Sequence, residues 1–115
     1  MLAGPLHRHT REDEFSYVLQ GRVGALLGED EVYGETGDLI FKPRGQWHTF
    51  WNAGDEPLRI LELISPGGME DAFREMGALG DELDPATLEA LVARYGAGVD
   101  LDGTAAIVER LGLRF

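Results

Sequence analysis

Before residue 66 the apolar positions come in short runs broken by glycine and by acidic turns, the pattern of strands rather than helices. Phe15 to Leu19 is aromatic and aliphatic around Ser16 and stops at Gln20-Gly21. Val23 to Leu27 follows, then the acidic cluster Gly28-Glu29-Asp30-Glu31, which reads as a solvated hairpin turn, and then Val32-Tyr33. Leu39 to Phe41 is a further strand, entered through Thr36-Gly37-Asp38. Trp47 to Asn52 and Leu58 to Ile64 complete the series, separated by Ala53-Gly54-Asp55-Glu56-Pro57.

After Ser65-Pro66-Gly67-Gly68 the period lengthens. Met69, Phe73 and Met76 recur at four and three residues, one helical stripe ending near Gly77. Asp84 is placed to cap a second helix with Pro85 at its first position. Leu88, Leu91, Val92 and Tyr95 line one face of it, and Gly96 closes it. A short third helix is predicted from about Thr104 to Leu111, with Ile107, Val108 and Leu111 inward and Gly112 after it. The expectation is one domain in two parts: an all-β barrel or sandwich over residues 1–66 and a helical extension packed on it over 67–115.

Composition narrows the function classes. The 115 residues, 43% hydrophobic, suffice for one core and not for two. The net charge of −11, from 21 acidic and 10 basic side chains, repels phosphate backbones and anionic lipid, so neither nucleic acid nor membrane is an expected partner. No apolar run approaches the roughly 20 residues of a bilayer span. The start, Met1-Leu2-Ala3-Gly4-Pro5, has neither the charged nor the apolar region of a secretory leader, and a cytoplasmic location is expected. With no cysteine there is no disulfide, thiolate ligand or thiol nucleophile. Lysine occurs once, as Lys42, and no function is read from it.

The chemistry is concentrated in the three histidines. His7 and His9 are two residues apart, so on an extended strand both imidazoles project to one face and Arg8 to the other. Thr10 to Asp13 is polar and turn-like, which lets an acid at the start of the next antiparallel strand reach the same cation. Glu12 and Asp13 lie beside Glu14. Glu14 is preferred because it immediately precedes the apolar strand and can point inward. His48 arrives from a separate β-segment. Imidazole nitrogens with a carboxylate oxygen suit iron, manganese, nickel, cobalt, copper or zinc, with the remaining positions left to water or substrate.

These residues resemble the motifs of the cupins. The first, G-x5-H-x-H-x3/4-E-x6-G, is matched by His7, His9, Glu14 and Gly21. The second, G-x5-P-x-G-x2-H-x3-N, is matched by Gly37, Pro43, Gly45, His48 and Asn52. Turn and strand-end roles are expected for Gly37, Pro43, Gly45 and Asn52. The tail from Ser65-Pro66-Gly67-Gly68 through Phe73 and Asp84-Pro85 to Tyr95-Gly96 is similar to that of small bacterial cupins of quercetin-dioxygenase-like type. The resemblance implies a double-stranded β-helix, or jelly-roll barrel, holding one divalent transition metal ion on His7, His9, Glu14 and His48.

It also implies metal-dependent dioxygenase chemistry on a small organic molecule, with Glu14 the candidate catalytic residue as ligand and proton acceptor. A non-catalytic ligand-binding or sensor cupin and a cupin isomerase or epimerase are the alternatives. The last would need a further base and positive charge for phosphate. Phe41, Phe50, Trp47, Trp51, Val18 and Ile60 are candidate pocket walls, and Arg44 or Arg59 candidate anion contacts. The opening glycine of the first motif falls at Met1, and the strands that ordinarily precede this motif are missing. Either the start site lies too far downstream, or the sheet edge beside His7 is covered by a second copy, as a homodimer.

Overall fold

A computed structural model describes residues 2–114, so that Met1, at the place of the motif's opening glycine, and Phe115 lie outside the described residues. The strands fall close to where the pattern predicts them, except that Asp30 and Glu31 of the expected turn already belong to a strand: β1 (Leu6–His9), β2 (Asp13–Gln20), β3 (Val23–Leu27), β4 (Asp30–Gly34), β5 (Leu39–Lys42), β6 (His48–Asn52) and β7 (Arg59–Ser65). The chain crosses repeatedly between two antiparallel sheets, a larger one in the order β4-β3-β6-β1 and a smaller one in the order β5-β2-β7. This is the jelly-roll arrangement. Val18, Val23, Ala25 and Ile40 fill the space between the sheets, with Phe50, Leu58 and Ile60 against them. At the β2–β3 turn Gly21 has φ +87°, and a Cβ there would stand 2.9 Å from the Pro57 carbonyl oxygen. No other residue type fits without displacing the β6–β7 connection.

Period-two alternation also decides what the smaller sheet shows to solvent. Tyr17, Leu19, Leu39, Phe41, Leu61 and Leu63 point outward and are 39–58% exposed. Phe15 joins them and stacks on Phe41 with ring centroids 5.0 Å apart. The inner face of the same sheet carries Glu14, Ser16 and Lys42, all buried. At this end the sheet is apolar outside and polar inside.

The C-terminal part contains α1 (Met69–Leu79), a short 3-10 turn, α2 (Pro85–Arg94), a further strand β8 (Ala97–Asp100) and α3 (Leu101–Leu111). The side chain of Asp84 accepts a hydrogen bond from the Thr87 amide at 2.7 Å, with Pro85 at the first turn, as predicted. Helix α3 begins at Leu101, ahead of the expected Thr104, because Asp100 caps it by accepting from the Gly103 amide at 2.8 Å. Met69, Ala72, Leu91 and Val92 form a separate core between α1, α2 and the barrel. No helix among the described residues is long and apolar enough to cross a membrane.

Strand β8 differs from the sequence expectation. Ala97-Gly98-Val99-Asp100 has no alternation to announce a strand, yet it pairs antiparallel with β1 through all four residues, His7 opposite Val99. The sheet edge beside the first histidine is thus closed by the chain's own C-terminal part and not by a partner. Thr104 ties the closure. Its hydroxyl accepts from the Leu6 amide at 2.8 Å and donates to the Asp100 carbonyl at 2.6 Å.

Candidate metal centre

Strand geometry brings the four predicted residues together. Alternation in β1 sends His7 and His9 inward and Arg8 outward, where its guanidinium lies 4.9 Å from the centroid of Trp47. β6 pairs with β1 in the register His7 opposite His48, so those two rings stand side by side with centroids 4.4 Å apart. Glu14 faces them from the other sheet. One ligand atom from each of His7, His9, Glu14 and His48 lies within 4.8 Å of every other. Glu14 Oε1 is 2.6 Å from His9 Nε2, and Oε2 is 3.1 Å from His48 Nε2.

The donor set fits a cation. His7 Nδ1 lies 2.7 Å from the Pro5 carbonyl and His48 Nδ1 3.2 Å from that of Gln46. Those contacts place the ring proton on Nδ1 and leave Nε2 as a lone pair, the arrangement that outer hydrogen bonds impose on metal-ligating histidine. A lone pair 3.1 Å from a carboxylate oxygen repels it unless a proton or metal ion is shared between them. His9 is 4% exposed; its Nδ1 has no hydrogen-bond partner, and its Nε2, although 2.6 Å from Glu14 Oε1, is not aligned for a hydrogen bond. A neutral imidazole has one bare nitrogen, and a buried one with no proton to accept is satisfied by a bound cation.

Electrostatics keep His7 and Glu14 in their binding forms. Burial, reinforced by the neighbouring His48, pushes the His7 pKa down to about 4, so its imidazole is neutral at physiological pH. Burial works against the Glu14 charge, but in the metal-free chain a proton shared with His48 or His9, together with the Lys42 ammonium, outweighs it and holds the carboxyl well below the usual carboxylate range.

Lys42 is the residue that sequence reasoning missed. The chain's one lysine is 2% exposed. Its Nζ lies 3.2 Å from Glu14 Oε2 and 5.1 Å from the Phe50 ring centroid, and it pairs with Glu62. Ser16 donates to the same Glu62 carboxylate at 2.7 and 3.0 Å. The available signal was phase: Lys42 is two residues from buried Ile40 and therefore shares its inward face.

Other candidates lie elsewhere. Glu12 is buried but outside the cluster. Asp13 accepts hydrogen bonds from the Arg44 amide at 2.9 Å and from its guanidinium at 3.2 Å, which occupies Arg44. Arg59 is exposed. Of the six candidate wall residues, Phe50 reaches the cavity beside the histidines. Phe41 points outward, Val18 and Ile60 fill the barrel core, and Trp51 lies across Gly24, where a Cβ would meet the indole at 2.3 Å. Trp47 packs outside, against Arg8.

That cavity is about 460 Å³. His7, His9 and Glu14 form its floor, and Phe50 and Val99 stand at its sides. Its roof comes from the C-terminal part: Met69, Phe73 and Met76 of α1, with Leu88 and Val92 of α2. No lysine or arginine lines it among the described residues. The arrangement is a chelating floor under an apolar lid.

Known proteins share this framework. A family model described as the cupin domain matches residues 3–64. The chain belongs to the cupin family. The tetracenomycin polyketide synthase protein TcmJ of Streptomyces glaucescens is 33% identical over 60 residues, 52% of this cupin and 40% of that protein. The chain spans less than half the length of the curated relatives it matches. Among solved structures, KdgF from a Halomonas species superposes with TM-score 0.54 at 25% identity, covering 62% of this chain and 63% of its own. A cupin-superfamily sugar phosphate isomerase from Silicibacter pomeroyi superposes with TM-score 0.52 at 26% identity, covering 57% and 43%. The family match ends at residue 64, within β7 and before α1, so the roof of the cavity lies outside it.

Proposed function

We propose that this cupin binds one divalent transition metal ion through His7, His9, Glu14 and His48 and acts on a small, largely apolar molecule that presents an oxygen donor to it. The observation that carries this reading is the clustered ligand set on the floor of an otherwise apolar cavity. When bound, the metal supplies Lewis acidity toward that oxygen and, for a redox-active ion, a route to oxygen chemistry. The chain's own part is to keep His7 neutral and Glu14 ionised, and to exclude water beneath α1 and α2. The same apolar lining orients the rest of the molecule by its shape. Glu14, the one carboxylate lining the cavity among the described residues, is the candidate acceptor of a substrate proton.

Dioxygenase activity is the version to test first. The protein is stripped, loaded anaerobically with iron, manganese, nickel, cobalt, copper or zinc, and assayed for oxygen uptake with flavonols, diketones and catechols. Uptake with one metal and not with metal-free protein is expected. No uptake with any metal overturns the dioxygenase version, and ligand binding without turnover favours a binding or sensor role. An isomerase acting on phosphorylated sugars, as in the Silicibacter neighbour's name, receives less support, because no lysine or arginine lines the cavity among the described residues. The relative named for a polyketide synthase fits an apolar substrate better.

The proposed assembly is a homodimer, through the outer face of β5-β2-β7 rather than the edge that β8 closes. On a chain of charge −11 this face is apolar, with Asp13 at one end of its strands and Arg59 at the other. A two-fold axis running across the strands sets opposite charges over each other and packs the two apolar sheets face to face. Light scattering is expected to give twice the chain mass, reduced to one by Phe41→Glu with Leu61→Glu. A wild-type monomer overturns it.

A further inference from the structure

Glu14 and Lys42 are cross-strand neighbours of β2 and β5, and Ser16 and Glu62 are cross-strand neighbours of β2 and β7. Further along the same strands the inward positions are Val18, Ile40 and Ile60, packed in the apolar core. The inner face therefore turns from aliphatic to charged at the end that meets the histidines. Burying an ion pair is seldom a stabilising choice. Desolvation of both charges offsets much of their attraction, and apolar residues of similar shape serve stability as well or better. A structural role alone gives no reason to place the chain's one lysine there. Glu14, 3.2 Å from its ammonium, does.

We infer that Lys42 is a positioning residue for the metal centre: it holds Glu14 by Oε2, so that the carboxylate offers Oε1, the oxygen lying against His9. Glu62, held by Ser16, is the counter-anion that makes a lysine tenable in the interior. The charges of Lys42 and Glu62 cancel, so the pair gives the centre direction rather than net charge. A carboxylate tethered at one oxygen meets a cation through the other, whereas an untethered one rotates and spreads over both. Outer partners of ligating carboxylates tune metal sites in this way. This inference rests on the metal reading above.

The test uses the full chain with Co(II) as the probe. Because Lys42→Met alone strands a buried Glu62, the main variant is the charge-balanced Lys42→Met with Glu62→Gln, and Glu62→Gln alone is the second. Folding is checked by circular dichroism, affinity by competition titration, and ligand geometry by the visible spectrum of bound Co(II). The expected result for the double variant is a folded protein with a changed Co(II) spectrum and affinity lowered roughly 10-fold or more. In Glu62→Gln, Lys42 keeps its hold on Glu14 but loses its counter-anion, so affinity falls while the spectrum stays close to wild type. A folded double variant with wild-type affinity and a superimposable spectrum overturns the role of Lys42. If the double variant does not fold, unchanged affinity in Glu62→Gln overturns it instead. Wild type that takes up no Co(II) at all overturns the metal reading, and this inference with it.

Discussion

Residues 3–64 and residues 65–114 meet at one cavity with opposite chemistry. The first stretch, which matches the family model, supplies every member of the candidate metal cluster, each on a strand whose register is set by a ladder of backbone hydrogen bonds. The second supplies the apolar roof from two short helices joined by loop and side-chain packing. Rigid strands suit ligands that must converge within a few ångströms, and a helical lid can vary its side chains without disturbing them. The difference separates what binds from what selects. The family model covers the barrel half alone, so membership of the family informs the floor of the cavity more than its roof.

Each half can be broken separately. His48→Ala should have the largest effect, taking metal from one equivalent per chain to a small fraction of that by elemental analysis, while the strands still form. Unchanged stoichiometry would mean the cluster is not the site. Met69→Ala strikes the other half. Met69 is 3% exposed between α1 and the barrel, and its truncation should cost about 2–5 kcal/mol in urea unfolding. Metal content should stay at wild type, and a parallel loss of metal would show that the roof also holds the floor together.

Protons distinguish the halves a third way. His7 titrates at about 4 in the folded chain against an ordinary 6.5. Between those values the unfolded chain takes up a proton that the folded chain excludes. Metal-free protein should therefore lose up to about 3 kcal/mol as pH falls from 6.5 to 4. Glu14, also depressed, extends the loss in the same direction at lower pH. His7→Gln should flatten the upper part of that slope, and an unchanged slope would refute the assignment. The smallest stability effect is expected for Phe73→Ala, because Phe73 is 50% exposed. It should change unfolding by under about 1 kcal/mol, yet weaken an apolar ligand roughly 10-fold by removing one wall of the lid. Binding equal to wild type would place the ligand elsewhere.

Much of the barrel was legible because strand alternation is a local property. The side chains of His7 and His9 share a face by spacing alone, and Glu14 precedes an apolar strand that fixes which way it points. The helix start at Asp84-Pro85 was equally local, since the cap and the first turn are written in adjacent residues. No function was read from Lys42, because no motif spacing marks it. Its burial depends on Glu14 and Glu62, which reach it from the two neighbouring registers. Trp51 and Phe41 were misplaced as wall candidates for a related reason: alternation gives two faces but does not say which one meets the cavity.

The sequence by itself determined the donor types, the strands that carry them and the two turns that set their spacing, because these follow from period-two geometry and from glycine and proline. Tertiary structure alone decided three things. It closed the edge beside His7 with β8, a segment some ninety residues away whose strand conformation comes from its partner's backbone. It buried Lys42 between two acids. And it laid the apolar stripes of α1 and α2 over the histidines, so that residues chosen for packing became the walls of the cavity. All three depend on contacts between distant segments, whose free energy exists only once the chain has closed the loops between them.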